Sequence, residues 1–277
     1  MAITEYNNNN SYNQPFISAA AGAGVGYGAW YGSRRLINKV RVPYIAARFR
    51  KIQQYNDENL RAAEKIIKDR NLPIKIVAPD QLSDRIELKG KKTRIIKKYE
   101  EIINKKWRGV LNSVKKGVNA FFLPREKTVC VNKEKFTSPV FHEIGHAVNF
   151  YQSNFWGSMQ KMRMPSRLAP IILLGVALFT SKKTEEQKER QGLIGKTTTF
   201  IKENVGKLSA LATLPILAEE LRASHVGNRL AEKYLSGDAL KSVFKTNKIS
   251  ALSYTSVTLI TGVTAWLANK VRDKVAQ

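Results

Sequence analysis

The sequence predicts a mainly α protein with a small β-hairpin or sheet (α+β) and about three to four membrane-associated helices. Uncharged or strongly apolar runs of helical length lie near both ends and in the second half of the chain. Between them, apolar residues recur at a 3.6-residue period opposite charged faces. Only two short apolar runs, joined by turn residues, read as paired strands.

Residues 1–15, including Asn7 to Asn10, are polar and low in complexity, without the basic start of a cleaved signal peptide, and are expected to form a disordered tail. Residues 16–33 are uncharged and rich in Ala and Gly, a composition that favours close helix packing in a membrane. At about eighteen residues this stretch just reaches spanning length, with Tyr27, Trp30 and Tyr31 near an interface. Arg34, Arg35, Lys39 and Arg41 follow and mark the cytoplasmic side, so the tail is expected outside and the next segment inside.

Residues 34–167 are expected to form a cytosolic core. Asp57 to Asp69 reads as an amphipathic helix with Leu60, Ala63, Ile66 and Ile67 on one face, ended by Asn71-Leu72-Pro73. Pro73 to Val77 reads as a short strand. From Arg94 to Lys116, Ile95, Ile96, Ile102, Ile103, Trp107 and Val114 share a helical face opposite one crowded with Lys and Arg. That helix suits either an anionic lipid surface or a core-facing position with a solvated basic side. Asn119 to Leu123 and Thr128 to Val131, joined by Pro124 to Lys127, form the predicted hairpin.

Residues 168–217 hold two apolar runs, Leu168 to Thr180 and Val205 to Leu217, around a charged link from Lys182 to Arg190. Each run is short for a full span, so a helical hairpin that spans or dips into the bilayer is expected. Residues 218–248 continue as a helix and a basic segment. Residues 249–277 contain the strongest spanning candidate, Ile249 to Ala268, which carries no charge and places Trp266 near its end.

The chain has 47 Lys+Arg against 22 Asp+Glu, a formal charge of +25, which makes a polyanionic surface such as anionic lipid a natural neighbour. Cys130 is the single cysteine, which excludes an intramolecular disulfide and any cysteine-based structural zinc site. The chemistry lies in His142-Glu143-Ile144-Gly145-His146. On a helix, His142 and His146 are one turn apart on one face and can bind one metal ion. Glu143 is then placed to take a proton from a water that the metal acidifies and to pass it to a leaving amine. Ser138 as cap and Pro139 in the first turn supply the helix start.

A catalytic zinc needs a third protein ligand. Ala218 to His225 offers Glu219, Glu220 and His225, any of which could complete the site. Two carboxylates at the end of an apolar run are costly unless a cation relieves them.

The order of motifs resembles the bacterial neutral zinc metallopeptidases of the YugP type, relatives of the membrane-embedded gluzincins. The resemblance rests on Ala62 to Ile67, His142 to Ala147, Glu220 to Ser224 and Ala251 to Tyr254, and it spans most of the chain. It implies a zincin-like catalytic core with Zn2+ as cofactor and Glu220 as the third ligand. It places Ser224 beside a ligating histidine, leaves Glu219 as a neighbour, and makes His225 either a transition-state hydrogen-bond donor or a surface residue. In gluzincins the strand before the metal helix pairs with the peptide backbone, which here would be Thr128, Val129, Cys130 and Val131; the alternative is an ordinary core strand. Residues 79–116 and the high charge depart from the family pattern.

Together these point to a zinc endopeptidase integral to the cytoplasmic membrane, with its site facing the cytoplasm and peptides or proteins as substrates. No specific nucleic-acid partner is expected, since the basic residues are dispersed and no nucleic-acid motif is present. The alternative is a basic membrane-anchored binding protein, for lipid or nucleic acid, whose metal site is not catalytic.

Overall fold

The computed structural model describes residues 14–86 and 94–276. Most of the expected polar tail therefore lies outside the described residues, as does part of the 79–116 segment. The chain is mainly helical with one three-stranded sheet. It divides into two compact units, one of residues 39–160 and 218–252, the other of residues 14–38, 161–217 and 253–276.

In the first unit, helix α2 (Asn56–Asp69) buries Asn59, Ala62, Ala63 and Ile66. It ends where Asn71 takes a left-handed conformation (φ 49°) and Leu72 N–H bonds back to Ile67 O at 3.0 Å, as the Asn-Leu-Pro sequence predicts. Strand β1 (Lys75–Val77) follows. Helix α3 (Arg94–Lys115) buries Leu111 and Val114, packs Trp107 against Phe121 with the rings tilted by 59°, and leaves Ile102 exposed. Strands β2 (Phe121–Leu123) and β3 (Thr128–Cys130) form the expected antiparallel hairpin, with Phe122 opposite Val129.

One expectation is overturned here. β3 also pairs in parallel with β1, Ile76 opposite Val129, so the strand order is β1-β3-β2. Thr128, Val129, Cys130 and Val131 are thus central and buried, and β3 has no free edge on which a substrate could add a strand. The strand expected at Pro73 to Val77 covers the other side of the hairpin, a pairing that nothing local in the sequence marks.

Helix α4 (Val140–Gln152) carries the His-Glu motif and is buried from Val140 to Ala147. Its cap residue is Pro139, not Ser138. The Ser138 hydroxyl instead lies 3.4 Å from the Asn59 amide and 3.1 Å from the Ser242 hydroxyl, so it joins α4 to its neighbours rather than closing its own helix. The expected Val205 to Leu217 run is also broken: helix α8 (Leu193–Ala212) stops at Thr213, and helix α9 (Leu214–Ala231) begins with Pro215 in its first turn. Phe141, Ile144, Ile66, Val129, Leu230 and Val243 share one core.

The second unit holds the first part of helix α1 (Gln14–Ile52), helix α6 (Arg163–Phe179), the short helix α7 (Glu185–Glu189), α8, and the second part of helix α10 (Gly237–Val275). Helix α5 (Asn154–Lys161), at the end of the first unit's 39–160 segment, precedes α6 in the chain. Gln14 and Pro15, expected in the polar tail, belong to α1, and the helix runs on well past Ser33. α6 and α8 pair as the predicted hairpin, around a cluster of Ala177, Val205 and Ala265.

Among the described residues, α10 is the one helix long and apolar enough to cross a membrane, and the bent pair α5 and α6 is a second candidate. The ends of α6, α8 and α10 are tied by polar contacts: Lys202 Nζ meets Asp273 at 2.6 Å and Asn269 at 3.0 Å, and Arg272 Nε donates to Leu178 O at 2.9 Å.

Candidate metal centre

The site is built where α4 and α9 cross. Gly145 stands between the two histidines, and a methyl group there would run into the backbone of Ala223. Gly227 meets the backbone of Phe141 in the same way. Without side chains at these two positions the helix backbones touch, and Glu220, Ala223 or Ser224, and Gly227 lie along the face of α9 that meets α4. The glycine inside the motif is thus a packing requirement as well as a spacer.

This crossing brings His142, His146 and Glu220 together, all buried. His142 Nε2 lies 3.0 Å from Glu220 Oε2 and 3.1 Å from His146 Nε2, and His146 Nε2 lies 3.4 Å from Glu220 Oε2. Ligands about 2.0 to 2.1 Å from a tetrahedral zinc are about 3.3 Å apart, so the three atoms already have nearly the spacing of one face of a coordination tetrahedron.

The outer nitrogens show which atoms face inward. His146 Nδ1 lies 2.8 Å from Glu219 Oε1; with Glu219 as a carboxylate, which can only accept, the proton sits on Nδ1 and the Nε2 lone pair points to the centre. His142 Nδ1 pairs with the Ser224 hydroxyl at 3.0 Å, which allows the same tautomer. Two nitrogen lone pairs and a carboxylate oxygen then converge on one point, a donor set that fits a divalent cation. Burial alone would lower the His146 pKa, but Glu220 and Glu219 outweigh it and push it up to about 10. A proton and a metal ion therefore compete for the same nitrogen.

Glu219, held open in the sequence as an alternative third ligand, has a different place. Its Oε1 accepts from His146, from Asn149 Nδ2 at 3.1 Å and from Gln160 Nε2 at 2.7 Å, while Gln160 also donates to His146 O at 2.7 Å. It holds a ligating ring from outside the cluster. Ser224 lies beside His142 as the resemblance implies, and His225, one residue on, is exposed and away from the cluster.

Asn149 and Gln160 were missed in the sequence. Asn149 could have been found, being one turn beyond His146 on the same helix, whereas nothing local marks Gln160.

Glu143 and His142 line an open cavity together with Val118, Ala120, Phe136 and one face of α10. Cys130, buried in β3, is no nucleophile: burial, with Asp80 and Glu143 adding to it, pushes its thiol up to about 12. No family model, curated protein or solved structure matches this chain.

Proposed function

We propose that the chain is a zinc-dependent endopeptidase of the membrane. The observation that carries the proposal is the buried convergence of His142 Nε2, His146 Nε2 and Glu220 Oε2 beside Glu143 at the wall of a cavity. In this account His142, His146 and Glu220 hold the ion, which when bound acidifies a water and polarises a peptide carbonyl. Glu143 takes the proton of the attacking water and delivers it to the leaving amine. Glu219, braced by Asn149 and Gln160, and Ser224 keep the two imidazoles aimed.

β3 being central, a substrate strand would pair instead with an edge. The chain entering β2 through Val118, Asn119 and Ala120 lines the cavity next to Glu143 and offers such an edge.

The membrane assignment is supported by the uncharged stretch of α10 and by large apolar side chains left exposed in the second unit: Ile171 and Ile172 on α6, Leu193 and Ile194 on α8, Leu259 and Val263 on α10. Purified full-length protein in lipid nanodiscs is expected to cleave unstructured polypeptides, to lose that activity with a chelator and to regain it with zinc. Cleavage indifferent to both treatments would dismiss the reading.

A further inference from the structure

The wall that α10 gives to the cavity has an uneven chemistry. Ser242, Lys245, Thr246, Ile249 and Ser250 recur at helical spacing along it. The hydroxyls of Ser242 and Thr246 donate to carbonyls of their own helix, Ala239 O at 2.7 Å and Ser242 O at 2.8 Å. Ile52, Val118, Phe136 and Ile249 make much of the remaining lining apolar.

Among the described residues, Lys245 is the cation of that lining, and apart from Glu143 no other lining residue carries a full charge. One turn earlier, Lys241 is paired with Asp238 at 3.0 Å. Lys245 makes no hydrogen bond or ion pair with any described residue. A cavity with both apolar and polar walls, and an ammonium group that no described residue engages, is complementary to a carboxylate next to an apolar side chain.

We infer that Lys245 is a specificity-determining residue that selects substrates bearing a carboxylate close to the scissile bond. This rests on the peptidase reading of the same site. The carboxylate belongs either to an Asp or Glu side chain or to the C-terminus of the substrate. Lys245 grips it while Glu143, which lines the same cavity, handles the proton. A hydrogen-bonded ion pair of this kind is worth about tenfold or more in selectivity, and a like charge placed opposite reverses the preference.

The test uses the full chain, zinc-loaded and in nanodiscs, on a proteome-derived peptide library with cleavage sites read by mass spectrometry. Wild-type sites are expected to be enriched in Asp or Glu at one fixed subsite, or to lie at a fixed distance from the peptide C-terminus. C-terminal amidation abolishes only the second pattern and so tells the two sources apart. Lys245→Met is expected to lose the preference, with kcat/KM for acidic peptides falling about tenfold through KM, and Lys245→Glu to shift it to Lys or Arg at the same subsite.

A separate readout needs no turnover: fluorescence anisotropy on Glu143→Gln, with labelled peptide pairs differing only as Glu or Gln. Tighter binding of the Glu peptide, lost in Glu143→Gln/Lys245→Met, supports carboxylate selection even if wild type cleaves nothing, an outcome that would sink the peptidase reading alone. Cleavage or binding equally good for acidic and amide peptides, and unchanged by Lys245→Glu, overturns the inference while leaving the peptidase intact.

Discussion

At the scale of single residues, the site separates two adjacent carboxylates into different tasks. Glu220 faces the histidine nitrogens and Glu219 faces the far side of one ring. Replacing Glu220 with Ala removes a donor, so metal content of the purified protein is expected to fall to a small fraction. Glu219→Ala leaves the donors in place but frees the His146 ring, and affinity is expected to drop about 10- to 100-fold in a competition titration with a chromogenic chelator. Equal loss in both variants would contradict this division of roles.

Protons follow from the same geometry. His146 has its pKa raised to about 10 in the folded protein, so near neutral pH the metal must displace a proton from it. Calorimetry in buffers of different ionisation enthalpy is expected to show proton release on zinc binding, and affinity that rises with pH. The sign for the stability of chelator-treated protein is opposite. A group with a raised folded pKa stabilises fully below its unfolded value, about 6.5, and loses that contribution as pH climbs through about 10. Melting temperature of the chelator-treated protein should therefore decline over that window.

At the scale of elements, α4 and α9 are positioned by the absence of two side chains. Gly145→Ala and Gly227→Ala each place a methyl against facing backbone, which cannot move aside as a flexible side chain could. Each is expected to destabilise by about 1 to 3 kcal/mol and to widen the distance from Glu220 to the histidines. The check is a lowered melting temperature together with weakened zinc binding, whereas Gly109→Ala, in open space on α3, should change neither.

The sequence disclosed the elements better than their neighbours. His142 and His146 are legible because their spacing is that of a single helix, and α2 and α3 because their apolar faces are local. The parallel pairing of Lys75 to Val77 with Thr128 to Cys130 joins strands about fifty residues apart and has no local signature. Ser138 was misread as a cap because its type fits one, while Asn59 and Ser242, which engage it, come from distant segments. Glu219 and Glu220 are indistinguishable by type. Their roles differ because adjacent helical residues point about a quarter-turn apart.

At the scale of the whole molecule, the α6, α8 and α10 unit exposes large aliphatic side chains that water would penalise. The protein is expected to stay with membranes through alkaline carbonate washing and to come off only with detergent; release by carbonate or salt alone would indicate a peripheral or soluble chain. Within this unit Asp273 meets two buried cations, Lys202 and Arg272. Asp273→Asn leaves both without a full counter-charge and is expected to lower thermal stability in detergent markedly more than the charge-removing Lys202→Met, since an uncompensated buried charge is costlier than an absent pair.

The central claim is that Glu143 works as a base beside an ion held by His142, His146 and Glu220. The most direct test compares wild type with Glu143→Gln for zinc content and peptide hydrolysis in the same preparation. The expected result is one zinc in each and a loss of hydrolysis of at least about 100-fold in the variant. Hydrolysis that survives in Glu143→Gln with zinc still bound would contradict the account.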